Sequence, residues 1–119
     1  LGAEVAVMGT AGHSGDGTGS ANGTGALVAD GAGRFRLLGA AIVPTVTLLR
    51  ATGLRIFAAS TGAIVVDLSA MARADSAGLA LLIDWLAWAR AAGRELRFVA
   101  PPASLLALAR LSDVEALLT

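Results

Sequence analysis

The stretch Ile64–Ala92, IVVDLSAMARADSAGLALLIDWLAWARAA, limits the available folds more than any other part of this chain. Ile64–Val66 is a β-branched run continuing through Asp67 to Leu68, as a central strand covered on both faces should begin. A polar loop, Ser69 to Asp75, then leads into a long apolar helix predicted over residues 77–92. The next strand-like run is Leu96–Ala100. A helix of that length between two such strands is what a crossover between neighbouring parallel strands requires.

The flanking segments fit the same layer. Ala26–Ala29 and Phe35–Leu38 are short apolar runs separated by Asp30-Gly31-Ala32-Gly33, a cluster that favours a hairpin. Pro44 stands where a first helical turn tolerates proline, and Val46, Leu49, Ile56 and Phe57 fall on one helical stripe with Gly53 in its gap. After Pro101-Pro102, Ala103 to Leu111 reads as a short helix with Leu105, Leu108 and Leu111 in register, and Ser112-Asp113-Val114-Glu115 reads as a capping box. The sum is an α/β (α+β) domain, a small mixed sheet of about four strands with helices packed against it.

Residues 1–25 differ in kind. Most of positions 9–25 are Gly, Ser, Thr and Asn, the composition of a flexible tether, so the expected division is a tether over 1–25 and a folded domain over 26–119. The crowded glycines lack the Lys and Ser/Thr of a phosphate-binding loop. His13 stands there with no second His and no Cys, which speaks against a metal site. Leu1 in place of Met suggests a trimmed start, and no basic segment followed by an apolar one marks a secretory signal.

Hydrophobic residues make up 55% of the chain, so a membrane span has to be considered. The apolar runs Leu37–Leu49 and Phe98–Ala109 both contain proline and fall short of the roughly 18–20 residues a spanning helix needs. The apolar excess therefore reads as a core plus an interface, with no direct membrane insertion. Nine Arg balance nine acidic residues and are scattered along the chain, which is not the footprint of a nucleic-acid binder. The absence of Cys excludes disulfides and thiolate metal sites and is compatible with a cytoplasmic setting.

At the joint, Ser76 is expected as the N-cap of the long helix, its oxygen accepting from an otherwise unpaired amide. Gly78 in the first turn costs roughly 1 kcal/mol of helix propensity relative to Ala, which points to close approach of another backbone or of a partner. A phosphate on Ser76 would lie at the positive end of the helix dipole, with Asp75 opposing the added charge. No His or Lys is placed to activate a serine nucleophile, and Asp84 lies too far along the helix to join Asp67 and Asp75 in a metal site; no enzyme, metal or cofactor is expected. The helix carries two apolar stripes, Leu79, Leu82, Ile83 and Leu86 against Leu81, Trp85 and Trp88, so one sheet cannot cover both; a neighbouring helix or a partner must.

On the motifs VVDLSAMARADSAGLALLIDWLAWAR and LRFVAPPASLLALARLSDVEALL, the chain from about Phe35 to Leu118 resembles the STAS domain, the fold of anti-sigma factor antagonists and of the carboxyl-terminal domains of sulfate transporters. DSAGLALL and LLALARLSDVEALL carry a likeness to MlaB-like members, cytoplasmic accessory subunits of the phospholipid-transport ABC complex of Gram-negative inner membranes. The glycine-rich N-terminal segment lies outside that pattern, and Ala100-Pro101-Pro102 lacks the polar residue often seen after the fourth strand. The resemblance implies that Ser76 is the family's Ser/Thr position, a phosphorylation or docking switch. It also implies a partner surface made by Met71, Arg73, Asp75, Ser76, Ala77, Gly78 and Leu79. The partner it implies is an ABC transporter ATPase subunit or, alternatively, a kinase-type anti-sigma factor. The location it implies is cytoplasmic, peripheral at the inner membrane through a complex.

Overall fold

The sheet begins earlier in the chain than the composition suggests. The computed structural model describes residues 5–10 and 24–118, and its first strand, β1 (Val5–Thr10), lies inside the segment expected to be a tether. It pairs antiparallel with β2 (Thr24–Ala29), from Val5 opposite Val28 to Thr10 opposite Thr24. The glycine-rich residues 11–23, His13 among them, fall outside the described residues. β2 then pairs antiparallel with β3 (Arg34–Ala41) around the expected Asp30–Gly33 turn, closed by the Asp30 amide donating to the Arg34 carbonyl at 2.8 Å.

From β3 onward the sheet is parallel. Helix α1 (Val43–Ala59) returns the chain to β4 (Ile64–Asp67), and Phe35 of β3 sits opposite Val66. The stretch expected as a loop from Ser69 to Asp75 is largely a further strand, β5 (Met71–Ala74), parallel to the far end of β3. Helix α2 (Ser76–Ala91) crosses to β6 (Leu96–Val99), parallel to β4. The strand order is β1-β2-β3-β4-β6, with β5 beside β3 beyond the end of β4, so the mixed sheet has six strands where about four were expected. β5 escapes sequence reading because MARA is too short and too alanine-rich to carry a strand signal.

The strands alternate between a buried and an open face. Leu27, Phe35, Leu37, Ile64, Val66, Leu96 and Phe98 point into one core cluster. Helix α3 (Ala103–Leu111) adds Leu105 and Ala109 to that cluster, and a final 3₁₀ turn, Glu115–Leu118, adds Leu118. Leu111, expected on the buried stripe of α3, is 86% exposed, because the helix ends there and Asp113 turns the chain at φ +63°. The expected capping box does not form: Ser112 closes α3, and the Glu115 carboxylate is held by Arg110 at 3.0 Å. No described helix is long and apolar enough to cross a membrane.

The second apolar stripe of α2 is covered by α1, which decides between the two expected alternatives. Trp85 is fully buried, its ring edge-on to Phe57 at a centroid distance of 5.1 Å, and Phe57 is edge-on to Phe35 at 5.2 Å. Each such ring removes roughly 150–250 Å² from water, about 4–6 kcal/mol at 25 cal/mol per Å². The two helices come this close because Gly53 leaves a notch: a Cβ there would meet the Trp85 ring at 2.5 Å. Across the same interface Arg50 and Asp84 form a salt bridge at 3.1 Å, half exposed and worth little. Arg94 closes the far end, donating to the carbonyls of Gly62 at 2.8 Å and Phe57 at 3.1 Å.

The notch makes a sign prediction. Gly53→Ala would gain about 1 kcal/mol of helix propensity in open solvent, but crowding against Trp85 reverses this, giving a net loss of about 1–3 kcal/mol in urea unfolding. In a Trp85→Leu background the same substitution becomes neutral or stabilising, and the double-mutant cycle measures the contact.

Candidate functional site

The joint between β5 and α2 is capped by Asp75, one residue before the position expected. Asp75 has extended backbone (φ −118°, ψ −168°), and its Oδ1 accepts from the Gly78 amide at 3.0 Å, so Ser76 is the first helical residue and not the cap. The register follows from the sheet: β5 pairs with β3 up to Ala74 opposite Ala41, and the Asp75 amide donates to the Ala41 carbonyl at 3.3 Å, holding Asp75 extended.

The other carboxylate oxygen reaches across the fold. Asp75 Oδ2 accepts at 3.0 Å from the amide of Val43, the first residue of α1. Ile42, at the cap position of α1, has no polar side chain, and its own amide is taken by Thr45 Oγ1 at 3.0 Å. A single carboxylate therefore lies between the positive ends of two helices and satisfies an amide of each. Such charge-assisted bonds contribute roughly 1.5–3 kcal/mol apiece.

Around this carboxylate the seven residues of the expected partner surface separate by depth. Met71 and Leu79 are 6% and 4% exposed and belong to the core cluster, and Gly78 is buried. Gly78 explains its own cost: a Cβ would run into the Ala41 carbonyl, so the close approach anticipated there is to the backbone of β3. Asp75 and Ala77 are half-buried, while Arg73 and Ser76 are exposed. Relieved of capping, the Ser76 side chain takes part in no hydrogen bond among the described residues. Val43, 66% exposed, is drawn to the same place by the Asp75 bond, and Leu48, 48% exposed, follows on α1. Neither had been singled out from the sequence, because an aliphatic residue at a helix start carries no signal until β5 brings the two helix starts together.

The three carboxylates considered for a metal serve separate purposes: Asp75 caps, Asp84 pairs with Arg50, and Asp67 accepts from the Ser69 amide at 2.8 Å. No group of three metal-binding side chains occurs among the described residues. The bond from Ser69, helped by Arg36 and Arg34, holds the Asp67 carboxyl below its ordinary value of 3.8.

A mixed sheet with α1, α2 and α3 packed against one core is the α/β architecture of a STAS domain. The sequence model of the family described as MlaB, STAS domain, matches residues 27–119, and the chain belongs to that family. STAS domains are in general regulatory or accessory modules. No curated protein matches the chain.

Two measurements check the electrostatics. Asp75→Ala frees two helix starts at once and is expected to lower stability by about 2–4 kcal/mol, whereas Ser76→Ala stays within about 0.5 kcal/mol; equal effects in chemical unfolding would return the cap to Ser76. Because the folded-state pKa of Asp67 is depressed, its contribution is present above 3.8 and is lost as the pH falls through the folded value. Asp67→Asn should therefore narrow the loss of unfolding free energy between neutral pH and the range below 3.8.

Proposed function

We propose that the chain is a non-enzymatic accessory subunit that binds the ATPase of an MlaB-type phospholipid-transport ABC complex. Its contact is the surface around Ser76, in the cytoplasm and at the inner membrane only through that complex. The observation that carries this reading is the division of labour at the joint: Asp75 does the capping, which leaves the Ser76 hydroxyl exposed and unbonded beside the exposed Val43. An apolar residue with a polar rim of Ser76 and Arg73 has the make-up of a docking patch. Catalysis finds no support there. The Arg73 guanidinium carries donors only, and both oxygens of Asp75 already accept amide hydrogen bonds, so neither is placed to take a proton from Ser76.

A second reading, an anti-sigma factor antagonist switched by phosphorylation, draws on the same exposed hydroxyl at the positive end of α2. The charge of Asp75 already occupies that end, which disfavours a second anion.

Co-purification with the cognate ATPase tests the first reading. Ser76→Arg and Val43→Glu are expected to abolish the complex and its effect on ATP hydrolysis while leaving the unfolding free energy within about 1 kcal/mol of the parent. An unchanged complex with both variants would sink the docking assignment. Stoichiometric phosphate on Ser76 after incubation with a kinase-type anti-sigma factor and ATP would favour the second reading.

A further inference from the structure

No further inference is drawn: the strongest candidate, the cavity of about 470 Å³ between the second half of α2, the start of β6 and the final 3₁₀ turn, is lined by Ile83, Leu86 and Leu117 together with the unlike charges of Arg90 and Glu95, and nothing in the structure shows what fills it.

Discussion

The arrangement of the end of this domain where α1 and α2 start depends on one carboxylate. Two helices, α1 and α2, start side by side at the ends of β3 and β5, and their dipoles bring like partial charges together. Left alone, these starts would repel and leave amides unpaired. Asp75 answers both demands, accepting from Gly78 on its own helix and from Val43 on the other. The bond crosses 32 positions of sequence, so it exists only once β5 has paired with β3.

Two close approaches fix the geometry around that carboxylate. At the joint, Gly78 lets the first turn of α2 lie against the Ala41 carbonyl, and one helical face further on Gly53 admits the Trp85 ring. Both glycines sit inside helices, where each costs about 1 kcal/mol of propensity, and in both places the cost is offset by a contact that no side chain could permit. The helices are thereby held at two points, which keeps the exposed Val43 and Ser76 beside one another.

The domain presents its outer surface in two characters. The helix side is a continuous core under α1, α2 and α3, while the opposite sheet face keeps aliphatic residues in rows with three arginines among them. The match to the MlaB, STAS domain family spans residues 27–119 and so takes in α1, α2 and α3.

Local pattern was enough to read the hairpin around Asp30–Gly33, the three helices, the central strand and the crossover, because hydrophobic period and turn residues act over a few positions. It pointed to the joint and to Ser76 as well. It placed the cap one residue late, since Asp and Ser are equally good caps and only the Ala41 bond to the Asp75 amide selects between them. β1 and β5 were not legible: the described strand Val5–Thr10 precedes a glycine-rich run, and Met71–Ala74 is a strand only because β3 offers it an edge. The sequence by itself determined the fold class and which hydroxyl stands at the joint. Tertiary structure alone decided that Asp75 caps two helices, that Ser76 is left free, and that Val43 lies beside it, because each depends on hydrogen bonds between strands far apart in the chain.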